Sequence, residues 1–247
     1  MSGTVSIIIP AINEEKGIGK TISAIPFKKL KDMGYNTEIL VIDGGSRDNT
    51  VVVAKKNGAR VIVELRRGYG LALRRGFDAA KGDVLISVDA DYTYPIEDLP
   101  KLLDIMLENN LDFMNTNRLE MLAKNAMSTM NRFGNAVLSI VARLLFGIPF
   151  RDSQSGMWLM KKDVWGKIRN KVRSNGMSFS QEIKIEAFRA GFRCSEVPIS
   201  YRGREGKAKL EPWKDGIGNL MHLFKKKCER YTAYSRDNSV GTYTAEH

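Results

Sequence analysis

Short apolar runs alternate with amphipathic segments in the N-terminal part of the chain. The runs have the length and the β-branched content of buried strands. We predict strands at 5–9, 38–42, 60–64 and 84–88 and helices between them at about 16–25, 50–57 and 68–80. The first strand is expected to end at Pro10, because proline cannot donate a hydrogen bond to a neighbouring strand. This alternation is typical of an α/β fold with a parallel sheet built from βαβ units.

The C-terminal half has longer helical segments and shorter strands. We predict helices at about 96–109, 132–146, 181–190 and 213–230 and strands at 112–117, 156–160 and 194–197. The chain has no internal repeat and no low-complexity linker, so we expect a single domain over residues 1–231. The polar segment 232–247 is expected to be a disordered tail.

Composition narrows the class of protein. The 247 residues are 43% hydrophobic and 27% charged, which is ordinary for a globular protein, and the formal net charge is +11. Such an excess indicates an anionic partner: nucleic acid, the phosphates of a nucleotide or an acidic membrane surface. The two cysteines have no metal-binding or disulfide spacing, and we see no signal peptide, so we expect a cytoplasmic protein. No apolar run approaches the roughly 18 to 20 residues of a membrane span.

Two acidic residues, Asp89 and Asp91, directly follow the strand predicted at 84–88. The carboxyl end of such a strand lies at the edge of the sheet where open α/β folds bind ligands. Two carboxylates this close are unfavourable unless a cation lies between them. Mg²⁺ and Mn²⁺ prefer such oxygens and commonly link carboxylates to the phosphates of a nucleotide. A bare acidic pair is more often a solvated turn, so the other loops of the chain decide between the two interpretations.

Four loops that follow predicted strands carry polar side chains. Their sequences are PAINEE at 10–15, DGGSRD at 43–48, DAD at 89–91 and DSQSG at 152–156. In this order and spacing they resemble the loops of the GT-A glycosyltransferases of family 2, and most closely those of the dolichyl-phosphate (polyprenyl-phosphate) mannose or glucose synthases. The resemblance covers about residues 4–225. It implies a GT-A fold: a single Rossmann-like domain with a mostly parallel central sheet flanked by helices.

The resemblance also implies a site for a sugar nucleotide. The loop that contains Pro10, Ile12 and Glu14 would line the base and the ribose of a UDP- or GDP-sugar. Asp43 would form a hydrogen bond with the base or the ribose, although alone it could equally be a turn or helix-cap aspartate. A second aspartate, usual in the family after the first, is replaced by Gly44.

Asp89 and Asp91 would bind the donor through Mg²⁺ or Mn²⁺, with Asp91 as a catalytic residue. The ion would stabilise the leaving diphosphate as a Lewis acid. Relatives that act on lipid phosphates often carry a glutamine two residues after the second aspartate. Thr93 occupies that position here, so the resemblance leaves the third protein ligand open.

Basic residues distinguish a lipid-phosphate acceptor from a hydroxyl acceptor. The resemblance implies that the acceptor, a dolichyl or polyprenyl phosphate, is bound by Arg118, Arg132, Arg202 and Lys207. Arginine suits this role because its planar fork binds phosphate through two hydrogen bonds and stays charged. The late loop 201–210, YRGREGKAKL, resembles the basic loop that closes over the donor diphosphate and the acceptor phosphate, which makes Arg202 a candidate catalytic residue.

The chemistry of the acceptor determines the expected mechanism. A phosphate monoester is already ionised at neutral pH, so its oxygen hardly needs a general base, whereas a sugar hydroxyl does. Direct displacement would invert the anomeric carbon. Asp152 corresponds to the aspartate of the family that lies near the acceptor, and it could orient the acceptor or act as a base. Gln181 and Glu182 lie where relatives with hydroxyl acceptors place an acidic base, although the helix dipole explains an acid there equally well.

A membrane-embedded acceptor requires contact with a bilayer. The apolar helix at 132–146 and the residues Met221, Leu223 and Phe224, next to three lysines at 225–227, could lie at the membrane interface. Core packing is the alternative for the first of these helices. We therefore expect a peripheral protein on the cytoplasmic face of the membrane.

Three other functions are consistent with part of the sequence. A soluble GT-A transferase could act on a sugar or another small hydroxyl acceptor. A nucleic-acid-binding protein would explain the charge, but no helix-turn-helix, zinc or RNA-binding aromatic motif accompanies it, so we expect no nucleic-acid partner. A nucleotidyltransferase would carry a glycine-rich basic loop after the first strand, where this chain has PAINE at 10–14.

Overall fold

Seven strands form one mixed sheet within residues 3–123, 126–205 and 212–229, the part of the chain that a computed structural model describes. The strands are β1 (Gly3–Ala11), β2 (Tyr35–Asp43), β3 (Arg60–Val63), β4 (Val84–Ser87), β5 (Phe113–Leu122), β6 (Trp158–Lys161) and β7 (Cys194–Tyr201). Their order across the sheet is β3-β2-β1-β4-β6-β5-β7. Only β6 pairs antiparallel with both of its neighbours. The prediction of a mostly parallel α/β sheet is therefore confirmed.

Helices cover both faces of the sheet. On one face lie α1 (Ile18–Ser23), α2 (Phe27–Asp32), α3 (Thr50–Lys56) and α5 (Leu99–Glu108), with a 3₁₀ turn (Ile96–Asp98) before α5. On the other lie α4 (Tyr69–Ala79), α6 (Thr129–Phe146), α7 (Lys162–Ile168), α8 (Phe179–Arg189) and α9 (Pro212–Cys228). Each face has its own apolar core, and β1 serves both because its side chains alternate: Ile7 and Ile9 face the first core and Ile8 faces the second.

The first strand does not end at Pro10, as the sequence predicted, but continues to Ala11. The carbonyl of Ala11 accepts a hydrogen bond from Gly44 N on the β2 side, and that of Ile8 accepts one from Val88 N on the β4 side. The backbone N–H and C=O groups of successive residues in a strand point to alternate sides, so the backbone nitrogen of Pro10 points towards β4. The β4 ladder ends at Ser87, which pairs with Ile8, so Pro10 lies beyond it. The proline therefore removes no hydrogen bond of the sheet.

Two further helices, α2 and α7, were not predicted, and β5 and β7 are longer than expected. The predicted tail at 232–247 and Lys207 lie outside the described residues, and the boundary at residue 231 stays a prediction. In the described part of the chain, no helix combines the length and the apolar character that crossing a membrane requires.

Candidate active site

The loops after β1, β2 and β4 meet at one edge of the sheet, as their position after parallel neighbouring strands requires. Asn13 N donates to Ser46 Oγ over 2.8 Å, which joins the first loop to the second. Thr21 Oγ1, on α1, donates to the carbonyl of Ala90 over 3.2 Å, which connects α1 to the acidic loop. Three of the four loops that the sequence analysis singled out therefore lie next to one another.

Asp89 and Asp91 lie at the centre of this edge. Asp91 is buried, and its Oδ1 accepts hydrogen bonds from Thr93 N at 3.2 Å and Thr93 Oγ1 at 2.6 Å. Thr93 thus orients Asp91. Asp89 is half-buried, and its Oδ1 accepts a hydrogen bond from the hydroxyl of Tyr69 at 3.1 Å. Burial, together with the charge of Asp91, raises the pKa of Asp89 to about 7.

The backbone around the acidic pair is tightly packed. Tyr92, between Asp91 and Thr93, has a backbone φ of 63°, a left-handed conformation that residues other than glycine rarely adopt. A Cβ on Gly17 would lie 2.6 Å from the carbonyl oxygen of Ala90, and a Cβ on Gly156 would lie 2.7 Å from Asp89 Oδ2. Both positions require glycine because α1 and the 152–156 loop approach the acids so closely.

The late basic segment lies directly over the acidic loop. Arg202 N donates to the carbonyl of Thr93 at 2.9 Å, and Glu205 N donates to that of Asp91 at 3.0 Å. Between them, the guanidinium of Arg204 contacts Glu14 and lies 3.1 Å from Asp91 Oδ2. Within the described residues, Arg204 Nε is buried without a hydrogen-bond partner.

Sequence analysis did not select Arg204, which is the arginine of this segment that contacts the acidic pair; the phosphate-binding role of Arg202 stays a prediction. The side chain of Arg202 pairs with Glu97 and stacks over the ring of Tyr92 at 4.9 Å. The two arginines belong to the same motif and have the same chemistry. Only the path of the backbone along the acidic loop distinguishes them, and the sequence contains no signal of that path.

Asp152 forms a buried ion pair with Arg118. Arg118 Nε donates to Asp152 Oδ2 at 2.7 Å and Nη2 donates to Oδ1 at 2.9 Å. The backbone N–H groups of Arg118 and Gln154 also donate to this carboxylate, at 3.0 and 3.2 Å. Burial alone would raise the pKa of Asp152, but the charge and hydrogen bonds of Arg118 hold it below its usual value. A carboxylate with four donors and a lowered pKa is a poor general base, so the structure favours an orienting role.

Glu182, the other acid considered as a base, is fully buried in α8. Its Oε1 accepts a hydrogen bond from Lys226 Nζ at 2.8 Å, and its Oε2 accepts the N–H groups of Arg173 and Ser174 at 3.0 and 2.7 Å. These contacts attach α9 and the 173–174 loop to α8. They indicate a structural role for this carboxylate.

Three of the residues expected around the nucleotide base, Pro10, Ile12 and Asp43, lie at the ends of β1 and β2. Asp43 is buried, and its carboxylate accepts hydrogen bonds from Gly45 N at 3.0 Å and Ser46 N at 3.1 Å, as a turn aspartate does. Ile12 is 41% exposed and faces Gly44, where a Cβ would lie 3.5 Å from it. Pro10 is half-buried at the end of β1.

Two further residues, Arg132 and Lys207, were expected to bind the acceptor. Within the described part of the chain, no contact joins Arg132 to the acidic pair. Arg132 is exposed in the first turn of α6, and Lys207 lies outside the described residues.

The acidic pair suits a divalent cation. Its donors are hard carboxylate oxygens, and burial together with the charge of Asp91 raises the pKa of Asp89, so a cation between the two acids would relieve their repulsion. Among the residues that the structure describes, no cluster of three or more His, Cys, Asp and Glu side chains could hold an ion. An ion here would therefore take its remaining ligands from a bound phosphate group and from water.

Comparisons with known proteins agree with this geometry. The family described as "Glycosyl transferase family 2" matches residues 6–168. The hexosyltransferase Agl6 of low-salt glycan biosynthesis in Haloferax volcanii is 35% identical over 222 residues, which are 89% of this chain and 53% of that protein. The chain thus spans about half the length of this relative. The dolichyl-phosphate hexose transferase of the same organism is 32% identical over 85% of this chain and 88% of that protein.

Solved structures support the fold. Glucosyl-3-phosphoglycerate synthase of Mycobacterium tuberculosis, in complex with Mn²⁺, UDP and glucosyl-3-phosphoglycerate, has a TM-score of 0.71 and 20% identity, and the match covers 91% of this chain and 80% of that one. This similarity confirms the predicted GT-A type of α/β fold.

Proposed function

The chain belongs to glycosyl transferase family 2, and from this premise we propose that it transfers a sugar from a nucleoside diphosphate sugar to a dolichyl or polyprenyl phosphate, with inversion of the anomeric carbon. The observation that carries the proposal is the environment of Asp152, whose carboxylate is buried and bonded to Arg118. An acceptor that is already ionised does not need this carboxylate as a base.

The donor half of the reaction rests on the edge formed by the acidic loop. Asp89 and Asp91 would hold Mg²⁺ or Mn²⁺, which supplies Lewis-acid stabilisation of the leaving diphosphate when bound. Arg204 contacts Asp91, and we propose that its guanidinium binds a phosphate oxygen of the donor. Pro10, Ile12, Glu14 and Asp43 remain the proposed surroundings of the base and ribose.

The acceptor half rests on a buried frame and a basic segment. Arg118 is proposed to hold Asp152 and the 152–156 loop in place, because its Nε and Nη2 both donate to that carboxylate. Arg202 would approach the acceptor phosphate after release from Glu97, with which it forms a partly exposed ion pair. Arg132 and Lys207 stay predicted acceptor contacts.

Relatives support the acceptor class without fixing it. The name of one relative, a dolichyl-phosphate hexose transferase, gives the lipid class that we propose here. The structurally similar glucosyl-3-phosphoglycerate synthase was solved with UDP and Mn²⁺, which supports a nucleotide donor here. Because the acceptor lipid is embedded in a bilayer, we propose peripheral binding at the cytoplasmic face of the membrane.

A partition assay tests the proposal. The protein would be incubated with Mn²⁺ and labelled UDP- or GDP-sugars, with either polyprenyl phosphate in detergent or free sugars as the acceptor. We expect acid-labile label in the organic phase only with the lipid phosphate. Label transferred to the free sugars, with none in the organic phase, would instead identify a soluble transferase with a hydroxyl acceptor.

A further inference from the structure

Exposed apolar side chains are concentrated on two helices. Of the fifteen large hydrophobic side chains that are exposed among the described residues, eight belong to α6 and α9. They form what we call the two-helix face: Met130, Phe133, Val137, Ile140 and Leu144 of α6 with Ile217, Met221 and Phe224 of α9. Leu144 is 81% exposed and Phe133 is 71% exposed, values unusual for residues whose only role is packing.

The spacing of these residues gives each helix one apolar outer side. On α6 they recur every three or four positions from residue 130 to residue 144, a row about 21 Å long at 1.5 Å per residue. The opposite side of α6 faces the core through Leu138 and Ala142. Leu223, which the sequence analysis placed at the membrane interface, is fully buried and anchors α9 to the same core.

The two helices pack against each other, so their exposed rows belong to one surface. Lys227 Nζ at the end of α9 donates to the carbonyl of Leu145 on α6 at 2.6 Å. At the C-terminal end of α6, a cavity of about 360 Å³ opens on this side of the molecule, lined by Ile140, Arg143, Leu144, Gly147 and Ile148.

The charge of the two helices is strongly positive. Their sequences contain two arginines and four lysines against one aspartate, Asp215, and α6 has no acidic residue. Lys226 is used internally, since it pairs with Glu182 and Glu186. Arg132, Arg143, Lys225 and Lys227 lie exposed on the same two helices. An apolar face accompanied by cations is complementary to an anionic lipid surface.

We propose that the two-helix face docks on the surface of an anionic lipid bilayer, with Phe133, Ile140, Leu144, Met221 and Phe224 at the level of the lipid headgroups. The positive charge also argues against a second copy of the chain as the occupant. A symmetric dimer would place each face against itself and would bring like charges together.

Both docking helices also contact the loop that carries Asp152. The docking proposal therefore rests on the proposed function and adds to it the surface that would meet the membrane. Ser139 Oγ of α6 accepts a hydrogen bond from Ser153 N at 2.9 Å. On α9, Asn219 closes a ring of three amides: Asn219 Nδ2 donates to Gln154 Oε1, Gln154 Nε2 to Gln181 Oε1, and Gln181 Nε2 to Asn219 O, at 2.8 to 2.9 Å. Docking would thus fix the acceptor side of the site relative to the bilayer.

Vesicle flotation tests the docking directly. We expect the native protein to float with vesicles that contain phosphatidylglycerol and to remain unbound with pure phosphatidylcholine. Binding should weaken at about 1 M salt, where the Debye length falls to about 3 Å. The variant Phe133→Ser/Leu144→Ser should bind the anionic vesicles at least about tenfold more weakly, because two large apolar side chains no longer enter the interface.

The matched control is Phe27→Ser/Leu107→Ser, which removes an exposed phenylalanine and an exposed leucine from the opposite face of the sheet. This control should float like the native protein. The proposal would be overturned if the native protein did not bind anionic vesicles or if the Phe133→Ser/Leu144→Ser variant floated like the native protein. It would also be overturned if the control lost as much binding as that variant. So would a native dimer that this variant converts to a monomer without any vesicle binding.

The same variants separate this proposal from the proposed function. With polyprenyl phosphate in detergent, no bilayer is present, and we expect Phe133→Ser/Leu144→Ser to transfer sugar at the native rate. Absence of transfer by the native protein in detergent would count against the proposed acceptor and leave vesicle binding as an independent result. Melting temperatures of both variants should stay close to the native value, because the replaced side chains are exposed.

Discussion

Replacing Arg118 with methionine would leave a buried carboxylate without its counter-ion. Asp152 has no solvent exposure, and the substitution removes two charge-assisted hydrogen bonds, at 2.7 and 2.9 Å. Each such bond contributes about 1.5–3 kcal/mol, and breaking a buried pair by removing one partner costs about 3–5 kcal/mol. We therefore expect Arg118→Met to lower the free energy of unfolding by about 3–5 kcal/mol.

Urea unfolding followed by circular dichroism measures this difference, with Arg151→Met as the control. Arg151 is 71% exposed and pairs at 3.3 Å with an exposed glutamate, Glu120, so its loss should cost no more than about 1 kcal/mol. The double variant Arg118→Met/Asp152→Asn should recover part of the loss because no unpaired charge remains. Equal effects of Arg118→Met and Arg151→Met would refute the account of this ion pair.

The same pair has a signature in the dependence of stability on pH. The pKa of Asp152 is lowered in the folded protein from an ordinary value of 3.8. Its contribution is therefore complete above that value and is lost as the pH falls below it and through the lower folded pKa. We expect the native protein to lose this stabilisation in that acidic range, and the double variant to lack this step. A step of equal size in both proteins would contradict the assignment.

Three further predictions concern other contacts. Lys226→Met should lower the free energy of unfolding by about 3–5 kcal/mol, because Glu182 stays buried and loses its cation. Lys225 is exposed, so the control Lys225→Met should change the free energy of unfolding by no more than about 0.5 kcal/mol. Mn²⁺-dependent UDP binding, measured by calorimetry, should strengthen from about pH 6 to about pH 8, because a proton on Asp89, whose pKa is about 7, competes with the cation; a flat profile would contradict this. Gly156→Ala should weaken that binding at least about tenfold, since its Cβ would lie 2.7 Å from the Asp89 carboxylate, and unchanged affinity would refute the close approach.

The parallel part of the fold could be predicted because each strand there is a continuous apolar run that ends in a polar loop. The same pattern predicted that Asp89 and Asp91 follow a strand at the edge where open α/β folds bind ligands, and the pairing of β1 with β2 and β4 brings Asp43 to a neighbouring strand end. The helices α2 and α7 have only six and seven residues, too few for a helical period to stand out.

The details of the site depend on contacts between distant parts of the chain. Arg118 and Asp152 are 34 positions apart, and nothing in the sequence near either residue indicates that the two form an ion pair. Arg204 and Glu14 are 190 positions apart, and the choice of Arg204 over Arg202 follows from the backbone path beside Asp91. Sequence patterns identified the candidate residues of the site, whereas their pairing required the structure.

Sugar transfer to polyprenyl phosphate by the native protein and by an Asp89→Asn/Asp91→Asn variant tests the central claim most directly. We expect the native protein with Mn²⁺ to produce organic-soluble, acid-labile label, and we expect both the variant and the native protein in excess chelator to produce almost none. Transfer by the variant at the native rate, or transfer by the native protein that the chelator leaves unchanged, would contradict the account.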